Sequence, residues 1–571
     1  MAGLLLSGTY DTAGFRTCPV TGLRLHQSVE RYVKLFALTA VVALLVGGIS
    51  AIFVALTRWE VIGLATPPAF YKWLSIHAWN LLIFWMVFME VAILYIGGPL
   101  VLGRPLPLPK LAGIGYAMML GAALLINHAI ATTEAPDNAP LLTSYVPLPS
   151  PPLFYLGAVL FIVGVIIAAL PFFVTIWQEK QEFPNRTLPL VTFGAFITAI
   201  IALEALLGGL ITYVPTLLWR IGLIEHLDAA WYRQMYWIIG HGSQQINLAA
   251  MITVWYFLTH VVGGAEVVSE RLSRVAFVLY LFFINMGAAH HLLADPGIHT
   301  SWKHWNTSYA VYGAVLASMI HAFAIPAGLE AGRRKRGFGR QGLFGWLWSA
   351  PWGNPVFSAT ALGIILFGFI GGISGVVMGQ TQINLTWHNT LAVPGHFHGT
   401  VVLGTTLTFM GLVYFALPVL FNRDLVLKPL ARLQPYFYAV TMGLATIMML
   451  YLGLLYGVPR RHPSVMSFPG TDFSFATAAP LFAIFGVAAI LALIAGASFL
   501  LVAVGTLLLG KRVDNPALVM PPLISGGVDD DKPIHEYSMQ GTFTLTLVFL
   551  ATFVAIYLIN WYLLGRLWAI G

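Results

Sequence analysis

Long apolar runs follow one another along almost the whole chain, separated by short segments rich in proline, glycine and charge. A helix needs roughly 20 apolar residues to cross a hydrocarbon core of about 30 Å. By that measure about thirteen runs qualify: 35–57, 74–98, 111–132, 153–177, 188–213, 236–262, 273–294, 306–330, 357–379, 396–421, 435–457, 480–509 and 541–564. Each is expected as an α-helix, because only a helix satisfies its own backbone within one lipid-embedded segment. Loops such as PLLTSYVPLPSPP (140–152) punctuate the runs. No internal repeat of the transporter kind and no soluble domain is visible. The pattern predicts an all-α integral membrane protein with about 13 transmembrane helices. Its expected parts are a cytoplasmic tail (1–34), a twelve-helix core (35–509), a cytoplasmic loop (510–540) and an additional C-terminal transmembrane helix (541–571).

Composition agrees with the pattern. Of 571 residues, 58% are hydrophobic and 9% are charged, too few charges to cover a water-soluble protein of this size. The single cysteine, Cys18, excludes an intrachain disulfide, a zinc knuckle or a thiolate copper centre. Residues 1–30 hold no apolar core long enough for a cleavable signal peptide. The formal charge is +7, but most of the 29 Lys and Arg fall on one side when the spans alternate, including GRRKRGFGR at 332–340. That bias reads as topology and puts the N-terminus in the cytoplasm of a prokaryotic membrane. It argues against nucleic acid as a partner and leaves membrane lipid as the surroundings.

Sixteen histidines are many for a chain so poor in charge. His77, His241, His290, His291, His396 and His398 all sit at span ends that the charge bias places in the outer third of the membrane. A lone membrane histidine is more often an interhelical hydrogen-bonder than a ligand. Several at one depth, among them an H-x-H and an H-H, point instead to metals. His396 and His398 lie about 200° apart around a helix, so they face opposite sides. One side could pair with His77 across a flat macrocycle, giving a six-coordinate, low-spin haem. The other could hold a five-coordinate haem, with His241, His290 and His291 as a three-imidazole copper site opposite its open position. A histidine proton relay in a transporter or channel is the alternative of another class; a haem-free protein would favour it. It does not explain the common depth. His128, His260 and His321 are read as local hydrogen-bonders.

These residues resemble subunit I of the haem–copper oxidase superfamily, most closely its B-type branch. The resemblance rests on IHAWN (76–80), VPLPSPPLFYLG (146–157), LPLVTF (188–193), YWIIGH (236–241), HHLLADPG (290–297), WHNTLAVPGHFH (387–398) and YGVPRR (456–461). It implies that His77 and His398 bind a low-spin haem, expected as b-type. It implies that His396 binds a high-spin haem of a- or b-type, and that His241, His290 and His291 bind copper, with iron the lesser candidate. Arg460 and Arg461 then match an arginine pair at haem propionates, and His388 and Asp295 match positions near those of the high-spin haem. Asp295 equally fits a plain helix-end turn. The last span resembles a small one-helix subunit, here fused; otherwise it is simply a further span.

One position departs from the family. Oxygen-reducing A- and B-type members carry a tyrosine four residues after the histidine equivalent to His241; here the residue is Gln245, and the usual proline after the histidine is Gly242. An amide forms no stable radical and does not lose a proton at neutral pH. Reduction of nitric oxide, 2 NO + 2 H⁺ + 2 e⁻ → N₂O + H₂O, needs no such donor. The chain therefore resembles an oxidase-derived nitric oxide reductase in which glutamine replaces the tyrosine (eNOR). The alternative is a terminal oxygen reductase with an atypical site, in which Tyr280, Tyr309 or Tyr312 would have to stand in. Gln245 either meets the substrate or fills the lost ring's space. Electrons are expected from a second subunit carrying a dinuclear copper centre or from a cytochrome c. Glu204 is either a neutral, hydrogen-bonded acid or a relay. The hydroxyl line expected on spans 6 and 8 looks interrupted at Ile320 and Phe323, which makes proton pumping doubtful.

Overall fold

In the computed structural model, residues 8–19, 21–134, 144–339, 341–463, 476–513 and 532–567 are described, without the side chains of 284–289. Most of the expected loop at 510–540 therefore lies outside the described residues. Among the described residues, twelve helices are long and apolar enough to cross a membrane. They are α1 (Gln27–Arg58), α2 (Pro67–Leu100), α3 (Pro109–Thr132), α4 (Pro152–Glu182), α5 (Leu190–Arg220), α6 (Ala229–Gly263), α8 (Thr300–Lys335), α9 (Pro355–Met378), α10 (Ala392–Val419), α11 (Lys428–Tyr456), α12 (Ala476–Leu509) and α13 (Gln540–Arg566). The span expected at 273–294 is α7 (Glu270–Gly287), which ends in a 3₁₀ turn at Ala288–Leu292. Glu270, Arg271 and Arg274 in its 18 residues keep it below the apolarity of the others.

Contacts divide the chain into two units, one of residues 1–17, 23–250 and 461–500, the other of 18–22, 251–460 and 501–571. The division falls inside α6, a helix continuous across it.

The first unit is built on close helix approach. A Cβ on Gly115 of α3 would lie 2.6 Å from the Ala168 nitrogen of α4, and one on Gly157 of α4 would lie 2.7 Å from Ile126. Small residues at such crossings let backbones pack where lipid gives no hydrophobic drive. The tail is tied down rather than loose. Strands β1 (Phe15–Thr17) and β2 (Arg24–His26) pair antiparallel, and His26 caps α1 by accepting from the Ser28 amide. Helix α1 thus starts eight residues before the expected span. Its buried Glu30 accepts from Arg16 and Tyr10 and lies 3.4 Å from the Lys34 ammonium, so the charges that shortened the expected span neutralise one another.

The second unit packs α9 on α10, where a Gly371 Cβ would meet Gly399 at 2.8 Å. Helix α13 docks on α8 through one carboxylate. Buried Glu330 accepts from the Gly541 and Thr542 amides, the Thr542 hydroxyl and Arg334. The first amides of a helix lack intrahelical partners and carry the positive end of its dipole, so a carboxylate there is favourable. Phe549, Phe553 and Trp561 of α13 also pack against a cluster formed by Ile373, Val377, Met378 and Trp387. The other face of α13, with Phe543, Val554 and Tyr562, is exposed in the manner of a lipid-facing surface.

Candidate metal and haem centre

Each candidate histidine is held by a local device. His241 lies on α6, followed by Gly242, whose Cβ would stand 2.7 Å from that of Ala205 on α5. Ile238 and Ile239 press on Gly208 and Gly209 of α5 in the same way. The turn carrying His241 is therefore fixed by close packing, a role that explains glycine where proline was expected. His290 and His291 sit on the 3₁₀ turn after α7, and their rings stand 4.3 Å apart. The nitrogens that His241, His290 and His291 can offer a metal all lie within 4.8 Å of one another. Three imidazoles converging in this way suit copper, and also zinc, iron or nickel.

The other three histidines share a different feature. His77 Nδ1 donates to the Gly47 carbonyl at 3.0 Å, and His398 Nδ1 donates to the Pro394 carbonyl at 2.6 Å. A carbonyl only accepts, so each Nδ1 carries the proton and Nε2 becomes the atom for a metal. His396 Nδ1 meets the Ser374 hydroxyl at 3.1 Å, and that hydroxyl donates to the Ile370 carbonyl. Its oxygen is thus placed to accept from His396. Ligating histidines are commonly oriented by such a bond on the second nitrogen. His396 ends a short α segment, Ala392–Phe397, and His398 opens a π segment, His398–Thr406. His77 likewise stands just before a π segment, Trp79–Phe84. Single π turns recur at functional sites because they re-aim side chains.

Arg460 donates its amide to the Asn389 carbonyl, beside His388, which ends the helix Thr381–Trp387. Burial pulls the Arg461 guanidinium below the usual arginine value, while Tyr145 and Tyr236 oppose this and Arg233 adds to it. A propionate would relieve that cost. Asp295 sits in a turn after the histidine pair, its carbonyl accepting from Lys303 at 3.3 Å. Gln245 is buried on α6. Ser243, Gln244 and Asn247 bond one another along that helix at 3.3 and 3.4 Å.

Residues 31–493 match the family model of cytochrome c and quinol oxidase polypeptide I. The chain belongs to the haem–copper oxidase subunit I family. It is 32% identical to cytochrome c oxidase subunit 1 of Thermus thermophilus over 431 residues, 74% of this chain and 73% of that one. It is 24% identical to the Bacillus subtilis protein of the same name over 451 residues, 73% of this chain and 66% of that one. A cryo-EM structure of a haem–copper terminal oxidase dimer superposes with a TM-score of 0.79 at 26% identity, covering 94% of this chain and 93% of that one. This subunit I is accordingly a multi-pass membrane oxidoreductase of a family that binds haems and copper, and its imidazole sets fit those groups.

Sequence reasoning had no access to Ser374, the Gly47 carbonyl or Gly375, which reach their histidines only through packing. A Cβ on Gly375 would stand 2.9 Å from His396 Cε1. Overpacking a core typically costs about 1–3 kcal/mol. We expect Gly375→Ala to displace the His396 ring, shift the high-spin haem band and slow turnover about 10-fold, by the scale of outer-shell changes at metal sites. Unchanged spectra would remove this role.

The subunit also joins polar groups that the sequence left apart. Tyr256 bonds Ser273 at 3.0 Å and His321 Nδ1 at 3.1 Å, and Tyr280 bonds Ser318 at 3.0 Å while stacking on His321. These bonds form two local groups, Tyr256 with Ser273 and His321, and Tyr280 with Ser318, in the part of α8 where Ile320 and Phe323 carry no hydroxyl. Tyr309 and Tyr312 face outward, 67% and 44% exposed, and Tyr312 pairs with Tyr557 of α13. Glu204 lies on the exposed face of α5.

Proposed function

We propose that this subunit I reduces nitric oxide, 2 NO + 2 H⁺ + 2 e⁻ → N₂O + H₂O. The observation that carries this reading is Gln245, buried one turn from His241 where oxygen-reducing members have tyrosine. In this reading His241, His290 and His291 hold copper, His77 and His398 a low-spin b-type haem, and His396 a high-spin haem. Arg460 and Arg461, with His388 and Asp295, hold propionates. The metals, when bound, supply the two electrons. Gln245 offers an amide that hydrogen-bonds the substrate and neither donates an electron nor loses a proton. Electrons enter from a second subunit with a dinuclear copper centre or from a cytochrome c, since Cys18 alone builds no such centre. The protein resides in the prokaryotic cytoplasmic membrane with its N-terminus inside.

The second reading is oxygen reduction, and the names of the relatives favour it: both curated relatives are cytochrome c oxidases and the solved neighbour is a terminal oxidase. Against it stands the missing tyrosine. Tyr309 and Tyr312 face outward and Tyr280 is engaged with Ser318. Paired NO and O₂ electrodes on the reduced, purified enzyme, with N₂O measured by gas chromatography, separate the two. We expect rapid NO loss with stoichiometric N₂O and feeble oxygen uptake. Fast oxygen uptake, with a histidine–tyrosine cross-link found by peptide mass spectrometry, would establish the oxidase. We further expect Gln245→Leu to slow NO turnover about 10-fold with haem bands intact, the scale of one lost hydrogen bond in a dry site.

A further inference from the structure

Among the ionisable groups of the first unit that the proposed function leaves unused, Glu90 is deeply buried. Glu90 lies on α2, on the straight stretch Trp85–Tyr95 between two π segments. It is 4% exposed, and neither of its carboxyl oxygens has a hydrogen-bond partner among the described residues. Its neighbours along this stretch are apolar or aromatic. At about 1.5 Å per residue, Glu90 stands roughly 20 Å along the helix from His77 and about 15 Å from the end at Leu100. Beyond that end lies a charged surface, where Arg104 donates to Glu179 and Glu182.

A purely structural role accounts poorly for this residue. An ionised carboxylate buried among apolar groups is strongly disfavoured, so the resting group is the neutral acid. A neutral acid that only filled space would be held by hydrogen bonds, or be cheaper as leucine or methionine. Glu90 keeps an ionisable proton with nothing fixing it.

A second observation lies on the neighbouring helix. Helix α2 meets the start of α5 at Gly97, where a Cβ would lie 2.7 Å from that of Ala195 and 3.4 Å from the Val191 carbonyl. Thr192, next to Val191, is fully buried and its hydroxyl also lacks a hydrogen-bond partner among the described residues. Taking Gly97 as level with Val191–Ala195, Thr192 falls about 12 Å nearer the charged surface than Glu90, and Thr198 falls near the level of Glu90. Thr192 and Thr198 thus place two hydroxyls between the Arg104–Glu179 surface and the level of Glu90, the second donating to the Gly194 carbonyl.

We propose that Glu90 is a proton-binding site inside the membrane, loaded along the α2–α5 seam and emptied toward the reduction chemistry during turnover. In the emptying step the carboxyl O–H bond breaks and the proton leaves. In the loading step a proton from water at the charged surface re-forms that bond, so charge balances over the cycle. Nitric oxide and oxygen reduction both consume protons, so this inference stands whichever substrate the electrodes identify.

The test uses the holoenzyme in lipid vesicles with whichever acceptor it consumes. Reduced-minus-oxidised infrared spectra should hold a protonated-carboxyl C=O band that Glu90→Gln removes and Glu90→Asp shifts. Turnover of Glu90→Gln should fall about 100-fold, the lower end of what a positioned proton donor contributes, with haem bands unchanged. Thr192→Val should be several-fold slower than wild type. Wild-type turnover and an unaltered C=O region in Glu90→Gln would overturn the proposal. A slow Glu90→Gln beside a wild-type Thr192→Val would overturn the seam as its route. Should Glu90→Gln fail to assemble, an unshifted band in Glu90→Asp would overturn it as well.

Discussion

His241→Ala enzyme should retain its haem bands, contain less than about a tenth of the wild-type copper and turn over at least about 100-fold more slowly. Removing a group that merely orients a metal ligand typically costs 10–100-fold in affinity or activity, so loss of a ligand exceeds that range. The three nitrogens lie within 4.8 Å of one another, and two imidazoles do not complete the set. The helix should survive, since alanine is the best helix former and the turn is fixed by Gly242, Ile238 and Ile239 against α5. Metal analysis beside optical spectra checks the outcome. Normal copper content would mean that the cluster is a hydrogen-bonding group and that the metal lies elsewhere.

His77→Ala should remove the low-spin haem signal and slow steady-state turnover about 1,000-fold, while a reductant able to reach the high-spin centre directly restores part of the rate. The ring is aimed by its bond to the Gly47 carbonyl, and a Cβ on Gly47 would stand 2.5 Å from Leu81, so the α1–α2 contact leaves the ring little freedom to be replaced. Without the imidazole, electrons lose their entry point at an expected cost of about 4 kcal/mol in the barrier, at 1.36 kcal/mol per tenfold. Reduced-minus-oxidised spectra and stopped-flow reduction check it. An intact low-spin band in this variant would reassign the ligand.

Much of this protein is legible from its residues because the membrane is a simple solvent. Apolar length alone marked the spans, and the helices extend beyond the expected limits where charges pair, as at Glu30, Arg16 and Lys34. Of the expected spans, α7 falls short of the others in apolarity; it carries its charges in its first turns and ends in a 3₁₀ turn. The H-x-H and H-H spacings raised the expectation of metal ligands, and the nitrogens of His241, His290 and His291 do lie within 4.8 Å of one another. Hydroxyl placement was less legible. Counting along α8 shows Ile320 and Phe323 without hydroxyls, but not that Tyr256 reaches His321 and that Tyr280 of α7 reaches Ser318.

The sequence by itself determined a mostly helical membrane chain, the histidines expected as ligands and the amide that stands in place of a tyrosine, because each depends on residue type and spacing along the chain. Tertiary structure alone decided what aims those histidines: the Gly47 carbonyl, Ser374 and the room left by Gly375 come from other helices. It also decided that Tyr309 and Tyr312 face outward and that Glu90 is enclosed with no hydrogen-bond partner among the described residues. Which face of a uniformly apolar helix is buried depends on its neighbours, and no periodicity along the chain records them.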